Sequence, residues 1–287
     1  MQLESMNGTF AQHVTGLDWW RQNGDEAQAF LRRAYSEHPV LILRRQILNE
    51  PELLEFGQCV GTPGIYAETH WQSELPEVVL VSNMRNADGE WIGGLSNNEL
   101  QWHTDQSYYA VPVTGCFLYA TVVPNSGGQT TWASLYDAYD ALPANLKTMA
   151  DHAVGTFSYR RRVQSGSYKD DNHNRDRINK TPDVKHQLVH THPVTGRKAL
   201  FIDPNTVTTI DGMPDDEASD FLDELLHYAT RPENTYCHEW EVGDLVLWDN
   251  AAVLHRREPF PNAENHLLKR MILELSPQEH IVPGPID

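Results

Sequence analysis

The chain has 287 residues, of which 40% are hydrophobic, so it can bury a sizeable core and is not a disordered protein. The 40 acidic residues outnumber the 22 basic ones and give a formal net charge of −18. Such a surface repels phosphate backbones, which argues against nucleic acid as a partner. No segment approaches the roughly 18 uncharged apolar residues that a membrane-spanning helix needs, so we expect no membrane association.

The first part of the chain predicts two helices and two strands. Apolar residues recur at helical spacing between 25 and 37, and the apolar run 40–43 follows as a short buried strand. Cap and first-turn signals at 49–52 predict a second helix that ends near Gly61. The apolar residues 78–81 predict another strand.

From residue 115 onwards, the sequence is rich in short apolar segments separated by turn residues. We predict strands at 115–123, 130–132, 152–159, 187–189, 199–202, 236–242, 245–248 and 269–275. Helices are predicted at 134–150 and 214–229. This pattern favours a mainly β fold with flanking helices and a double-stranded β-helix, or jelly-roll, core over a doubly wound sheet.

We find no linker that would divide the chain, so residues 1–287 are predicted to form a single domain. Residues 163–184 are polar and nearly free of large aliphatic side chains, which predicts a long mobile loop. This segment and the stretch near 65–100 are expected to be lids or loops at a binding site, where compact proteins usually keep long loops.

The cysteines and the N-terminus bear on the compartment. Cys59, Cys116 and Cys237 are an odd number and far apart, which predicts free thiols in a reducing compartment. The first residues lack the basic and apolar regions of a secretory signal. We therefore predict a cytoplasmic protein, and the sequence leaves open whether it forms a homo-oligomer.

The segment 101–107 carries a candidate metal pair. If it is extended, His103 and Asp105 point to the same face and can hold one ion together. His255, shortly after the apolar strand 245–248, supplies a second imidazole. Two histidines and one carboxylate form the facial triad typical of non-haem Fe(II) oxygenases. A lone histidine and aspartate two residues apart is not specific, since a surface pair has the same spacing.

Four segments together resemble the TauD/TfdA family of dioxygenases, and the resemblance extends from about residue 30 to 275. The segments are WHTD at 102–105, PNSGGQT at 124–130, THPVTGR at 191–197, and GDLVLWDN at 243–250 followed by LHR at 254–256. The resemblance implies that His103, Asp105 and His255 are the catalytic Fe(II) ligands and that 2-oxoglutarate and O2 are co-substrates. It also implies that Thr130 helps to bind the far carboxylate of 2-oxoglutarate.

Arg270 matches an arginine on the last strand of the family's barrel. A dianionic co-substrate in a semi-buried site needs a cation, and guanidinium binds carboxylate through two parallel hydrogen bonds. Some family members carry two arginines four residues apart on this strand, whereas here the earlier position is His266. Arg270 can therefore serve the co-substrate or an anionic substrate, and we assign it to 2-oxoglutarate because that ligand is obligatory.

Several residues near the metal motif are candidates for binding the substrate. His70 lies in the variable stretch before the motif, Asn98 and Gln101 directly precede the metal pair, and Tyr108 follows it. The basic run 160–162 is interpreted either as a solvated surface patch or as a clamp for an anionic substrate.

The function predicted from these residues is a dioxygenase that removes hydrogen from a C–H bond of a small acidic or amino-acid-like substrate. Hydroxylation is the expected outcome, with release of succinate and CO2. Desaturation or cyclisation begins with the same step and stays open. The alternative from another class is a non-catalytic jelly-roll binding protein, although such a protein has no use for an open metal face.

Overall fold

The computed structural model describes residues 1–65, 71, 73–94, 97–165 and 172–286. Its strands are β1 (Gln2–Ser5), β2 (Gln12–Thr15), β3 (Val40–Leu43), β4 (Thr62–Gly64), β5 (Val79–Ser82), β6 (Leu100–His103), β7 (Gly115–Val122), β8 (Thr130–Ser134), β9 (Val154–Phe157), β10 (Val184–Gln187), β11 (Val189–Thr191), β12 (Lys198–Leu200), β13 (Val207–Ile210), β14 (Thr235–His238), β15 (Leu245–Asp249), β16 (Val253–Arg257) and β17 (Leu267–Glu274). Its helices are α1 (Asp25–Glu37), α2 (Glu50–Val60), α3 (Leu135–Ala141), α4 (Ala144–His152), α5 (Tyr159–Gln164), α6 (Asn172–Lys180) and α7 (Asp215–Ala229). None of the helices in these ranges is long and apolar enough to cross a membrane.

The two predicted N-terminal helices form for the reasons that the sequence suggested. α1 buries Ala27, Leu31 and Ala34 along one face, as the helical spacing of its apolar residues requires. α2 begins with a capping box, in which the Asn49 side chain accepts a hydrogen bond from the Glu52 amide. The Glu52 carboxylate in turn accepts one from the Asn49 amide, so two otherwise unpaired amides at the helix start are satisfied.

Two sheets form the centre of the fold. The larger sheet has the order β1-β2-β3-β15-β7-β17-β4, and β5 also pairs with β17. The smaller sheet has the order β14-β8-β16-β6. Every pair in these sheets is antiparallel except β2 with β3.

Strand β3 shows how the two faces of the larger sheet are used. Leu41 and Leu43 pack in the cluster that includes α1 and α2, on the outer face. Val40 and Ile42 point the other way and pack with Trp132 of the smaller sheet. This core between two antiparallel sheets, with helices outside, confirms the predicted mainly β fold with a jelly-roll core.

A third apolar cluster covers the outer face of the smaller sheet. Ala133 of β8 and Leu254 of β16 pack there with side chains of α4 and α7, such as Leu146 and Phe221. Strand β16, which carries His255, is therefore buried on both faces. It was not predicted, because a strand buried on both sides lacks the alternation of apolar and polar residues that marks a half-buried one.

Two predicted elements are interrupted by a break in the structure. The helix predicted at 134–150 is divided into α3 and α4, because Pro143 has no amide hydrogen to continue α3 and becomes the N-cap of α4. The strand predicted at 187–189 falls on the break between β10 and β11. The first error comes from a proline inside the predicted helix, and the second reflects the low resolution of hydrophobic periodicity at element ends.

The segment predicted as a long loop, 163–184, contains α6. Few apolar residues mark this helix, but Arg177 anchors it by other means. Its guanidinium donates a hydrogen bond of 2.7 Å to the Tyr109 hydroxyl and lies 4.5 Å from the centre of the Tyr159 ring. Composition could not reveal these contacts, since their partners lie far away in sequence.

The stability of this fold is expected to decrease in mild acid because of His190 on β11. Burial, aided by nearby His186, lowers the pKa of His190 to about 4. The unfolded chain titrates near 6.5, so the unfolded state binds more protons between these values. The contribution of His190 is thus complete above pH 6.5 and is lost as the pH falls towards 4.

We expect His190 to lower the free energy of unfolding by about 2 kcal/mol between pH 7 and pH 5. Urea denaturation of the protein and of His190→Gln at both pH values measures this contribution. The free energy of unfolding of the variant should depend less on pH. His152→Gln, at an exposed histidine, is the control. An equal pH dependence in the protein and in His190→Gln would refute the assignment.

Candidate metal centre

His103, Asp105 and His255 converge at one end of the smaller sheet. His103 is the last residue of β6, and it pairs directly with His255 of β16, so that the ring centres are 4.1 Å apart. Asp105 lies in the turn that follows β6, where Gln106 has a positive φ of 54°. The expected extended conformation thus ends at His103, and the turn brings the carboxylate to both rings.

The donor atoms of the three side chains fit a single metal ion. Asp105 Oδ1 lies 3.8 Å from His103 Nε2, and Asp105 Oδ2 lies 3.6 Å from His255 Nε2. His103 Nδ1 donates a hydrogen bond of 2.7 Å to the Gln101 carbonyl, which leaves the Nε2 lone pair free to bind a metal. Two imidazoles and one carboxylate on one side of the ion are the donor set of non-haem Fe(II) sites.

The protonation states suit metal binding. Burial lowers the pKa of His255 to about 4 and that of His103 well below its usual value, so both rings are neutral near pH 7. Burial alone would raise the pKa of Asp105, but Arg270, His255 and His103 outweigh it and lower that pKa well below its usual value. Two neutral imidazoles and one carboxylate require no proton loss before they bind Fe(II).

Arg270 lies at the metal end of the site. Its Nη2 is 2.7 Å from Asp105 Oδ2 and 3.7 Å from the Cys116 sulfur. The Cys116 thiol is itself 3.8 Å from Asp105 Oδ2. The guanidinium therefore contacts the Asp105 carboxylate directly and stabilises its charge.

Thr130 lies two residues before Trp132, the partner of His255, on β8. It is directly opposite Arg257 of β16. Its hydroxyl accepts a hydrogen bond of 3.0 Å from the Trp240 indole. Arg257 is only 6% exposed and donates to the Asn98 carbonyl, and burial lowers its pKa to about 10. At that pKa the guanidinium is still cationic at neutral pH, so this end of the site holds a buried positive charge.

The residues predicted to bind substrate differ in their placement. Asn98 is held near the site through its carbonyl and Arg257, whereas the Gln101 side chain is exposed and only its carbonyl contacts His103. Tyr108 is buried, with its ring centre 4.9 Å from that of Tyr159. His70 lies outside the described residues.

The basic run 160–162 is divided by the helix on which it lies. Arg160 and Arg161 are exposed, whereas Arg162 is buried, with its Nη1 3.7 Å from Asp203 Oδ2. The charge of Arg162 acts on His103, Asp105 and His255, and it lowers the pKa of all three. Two of the three arginines are thus at the surface, as a solvated patch requires, and the role of Arg162 as a clamp for an anionic substrate stays a prediction.

Asn250 was quoted in a sequence motif but given no role there. Its side chain accepts a hydrogen bond of 3.1 Å from the Asp105 amide and donates one of 2.9 Å to the Asp105 carbonyl. It also donates one of 2.7 Å to the Val113 carbonyl, while its own carbonyl accepts one of 2.6 Å from the Thr104 hydroxyl. Asn250 therefore fixes the turn that presents Asp105. The three hydrogen bonds between its side chain and backbone atoms could not be predicted from the sequence.

A second group with metal-ligand spacing, among the residues described, consists of His192, Asp249 and His280. His192 Nδ1 accepts hydrogen bonds of 3.2 Å from the amides of Val194 and Thr195. The proton of the neutral ring must then be on Nε2, which makes that atom a donor to a carboxylate rather than a metal ligand. Asp249 Oδ2 and His280 Nδ1 lie 3.5 Å apart, so this group is a buried polar cluster in which the carboxylate faces an imidazole.

Comparisons with known proteins agree with this geometry. The family described as taurine catabolism dioxygenase TauD, TfdA family, matches residues 2–271. The chain is 31% identical over 276 residues to an alpha-ketoglutarate-dependent 2,4-dichlorophenoxyacetate dioxygenase of Cupriavidus pinatubonensis, which covers 91% of this chain and 93% of that protein. It is 28% identical over 279 residues to an (S)-phenoxypropionate/alpha-ketoglutarate-dioxygenase of Sphingobium herbicidovorans, with 92% and 91% covered.

A solved structure gives the same result. The crystal structure of AAD-2 in complex with Mn(II) and N-oxalylglycine superimposes with a TM-score of 0.81 at 25% identity, over 95% of this chain and 96% of that one. The family match covers almost the whole chain, and the two histidines and the aspartate are assembled as the metal chemistry requires. The chain therefore belongs to the TauD/TfdA family, and it is an Fe(II)- and 2-oxoglutarate-dependent dioxygenase.

Proposed function

We propose that this dioxygenase oxidises a C–H bond of a small anionic substrate, which Arg162 and Arg270 hold near the metal ligands. The observation that carries the proposal is the contact between Arg270 and Asp105, the single carboxylate of the triad, together with the burial of a second cation, Arg162. Arg270 contacts Asp105 at 2.7 Å, and the charge of Arg162 reaches all three ligands. Asp203 Oδ2, which lies 3.7 Å from Arg162 Nη1, offsets part of the cost of burying Arg162, and an anionic substrate would offset more of it.

The residues around the candidate metal centre have separate roles in this proposal. His103, Asp105 and His255 would hold Fe(II), which when bound supplies the chemistry that couples 2-oxoglutarate decarboxylation to substrate oxidation. Arg270 and Asn250 keep Asp105 ionised and oriented. His103, Asp105 and His255 are at most 9% exposed, and such burial strengthens the attraction between a guanidinium and a substrate anion.

The names of relatives are consistent with an anionic substrate. Those of Cupriavidus pinatubonensis and Sphingobium herbicidovorans are named for 2,4-dichlorophenoxyacetate and (S)-phenoxypropionate, which are both carboxylates. A third relative, 27% identical over 277 residues, is named pentalenolactone F synthase in Streptomyces avermitilis. Because these names span different substrates, we propose the charge class of the substrate and expect hydroxylation, with release of succinate and CO2.

A substrate screen that measures succinate tests this function. Carboxylates and sulfonates should stimulate succinate formation above the rate with 2-oxoglutarate alone, and their neutral amides should not. Arg162→Gln should raise KM for the active anion by roughly 10- to 100-fold, in keeping with the loss of a charge-assisted hydrogen bond. Arg160→Gln, exposed on the same helix, is the matched control.

Two outcomes would contradict the proposal. Equal stimulation by an anion and its neutral amide would remove the charge requirement. If no compound increased succinate formation while the protein bound small anions tightly, the protein would be a binding module, as in the alternative from sequence.

We also infer that the protein works in the reducing cytoplasm and does not bind nucleic acid. All three cysteines are free, and Cys59 and Cys116 are buried, which is compatible with a reducing compartment. The net charge of −18 supports the absence of a nucleic-acid partner.

A further inference from the structure

We propose that Arg257, with Thr130 opposite it, binds the far carboxylate of 2-oxoglutarate, and that Arg270 serves the metal end of the site. The inference rests on the family's use of 2-oxoglutarate and assigns the anchoring role to an arginine that the sequence motifs did not single out. It depends on the strand register, on the position of Arg270 and on the replacement of a family arginine by His266.

The strand register places Arg257 at the required distance from the metal. Arg257 follows His255 by two residues on β16, so both side chains point to the same face, about 7 Å apart along the strand. In 2-oxoglutarate, two methylene groups separate the keto carbon from the far carboxylate. A co-substrate that chelates a metal at His255 through its keto acid end therefore reaches the level of Arg257 with the other end.

Thr130 is placed to complete this anion site. It pairs directly with Arg257 across β8 and β16, and the side chains of directly opposed residues are about 5 Å apart on the same face. The Thr130 hydroxyl already accepts a hydrogen bond from the Trp240 indole, which leaves its hydrogen to donate. A carboxylate between Thr130 and Arg257 would receive donors from both strands.

Arg270 lies away from this anion site, next to the candidate metal ligands. Its Nη2 contacts Asp105 Oδ2 at 2.7 Å, so it lies beside a metal ligand. A guanidinium there can contact the metal-binding end of the co-substrate or the substrate anion. The far carboxylate needs a second cation, and Arg257 supplies it.

His266 explains why the second cation comes from a different strand. It occupies the position that is an arginine in some family members, four residues before Arg270. Its ring is buried and stacked on Phe260 with centres 5.1 Å apart, and the Arg257 guanidinium lies 5.4 Å from the same Phe260 ring. Arg257 thus approaches, from β16, the location that an arginine on β17 would otherwise reach.

The experiment compares two 2-oxo acids that differ only at the far end. Protein loaded with Fe(II) without oxygen is titrated with 2-oxoglutarate and with 2-oxovalerate, in which a methyl group replaces the far carboxylate. Binding is followed by the visible charge-transfer band of the Fe(II)–oxo-acid complex and by calorimetry, and no turnover is needed. Arg257→Gln should weaken 2-oxoglutarate binding by roughly 10- to 100-fold and leave 2-oxovalerate binding unchanged.

Three further variants make the result specific. Arg256→Gln is the matched control, since Arg256 points to the other face, where it pairs with Glu258 at 2.8 Å, and it should bind both acids normally. Arg257→Lys keeps the positive charge but lacks the two parallel N–H donors of a guanidinium. It should therefore bind 2-oxoglutarate more tightly than Arg257→Gln but less tightly than the unmodified protein. Arg270→Gln should leave the preference for 2-oxoglutarate over 2-oxovalerate intact.

The proposal is overturned if Arg257→Gln binds 2-oxoglutarate as the unmodified protein does, or if Arg270→Gln abolishes the preference instead. It is also overturned if Arg257→Gln and Arg257→Lys weaken the binding of 2-oxoglutarate and of 2-oxovalerate equally, since Arg257 would then have a structural role only. The test is independent of substrate identity. If no oxo acid produced a charge-transfer band even in the unmodified protein, the family activity itself would be in question rather than the anchor.

Discussion

Replacing His255 by alanine is expected to abolish tight binding of Fe(II). His103, Asp105 and His255 would together hold the ion, so removal of one imidazole leaves two protein ligands, with Asp105 still attracted by Arg270 at 2.7 Å. Changes to groups that merely orient a ligand cost about 10- to 100-fold in metal affinity, so loss of the ligand itself should exceed about 100-fold. Calorimetry with Mn(II) or Co(II), and the anaerobic charge-transfer band with 2-oxoglutarate, measure the effect.

A matched control comes from the second histidine cluster. His192→Ala removes a buried histidine from the group with Asp249 and His280, in which His192 Nδ1 accepts hydrogen bonds from two backbone amides. This variant should lose stability but bind one metal ion with unchanged affinity. A charge-transfer band of normal intensity in His255→Ala would remove His255 from the metal centre, and a lower metal stoichiometry in His192→Ala would show that the second cluster also binds metal.

The grouping of His103, Asp105 and His255 could be predicted from sequence because the information is local or carried by family motifs. His103 and Asp105 lie two residues apart at a strand end, and His255 follows an apolar strand within a recognisable motif. The strand that holds His255 could not be predicted, because β16 is buried on both faces and has no alternation. The family motif thus predicted that His255 joins His103 and Asp105, but it did not predict the strand that carries His255.

The burial of Arg162 and the position of Arg257 opposite Thr130 could not be predicted from the sequence. Arg162 was one of three adjacent arginines, and only the position of α5 relative to the sheets determines which of them is buried. Arg257 follows a predicted ligand by two residues, but its significance depends on its register with Thr130 on another strand. Such long-range pairings are set by tertiary packing, which local periodicity does not encode.

Asn250 is the residue whose replacement should most damage both stability and the metal centre without removing a metal ligand. Its side chain is fully buried and makes three hydrogen bonds to the backbone, two to Asp105 and one to Val113. Asn250→Ala leaves one amide and two carbonyls without these bonds. Since each unsatisfied buried group costs about 1–3 kcal/mol, and some relaxation is expected, the free energy of unfolding should fall by about 3–5 kcal/mol.

The same change should loosen the turn that presents Asp105. Because Asn250 holds both the amide and the carbonyl of Asp105, its loss frees the carboxylate to follow Arg270 away from the two imidazoles. We expect metal affinity to fall by roughly 10- to 100-fold, as for other groups that orient a ligand. Urea denaturation of the metal-free protein and calorimetric titration with Mn(II) separate the two effects.

Asn234→Ala is the control that makes the Asn250 result informative. Asn234 is also buried, at 5% exposure, but its amide donates a single bond of 2.8 Å to the Tyr228 carbonyl, at the end of α7. That variant should lose about 1–2 kcal/mol of stability and keep normal metal affinity. If Asn250→Ala were no less stable than Asn234→Ala, or bound Mn(II) as tightly as the unmodified protein, the side chain of Asn250 would not be what positions Asp105. The rigidity of the turn would then have to come from the Thr104 hydroxyl, whose bond of 2.6 Å to the Asn250 carbonyl survives the substitution.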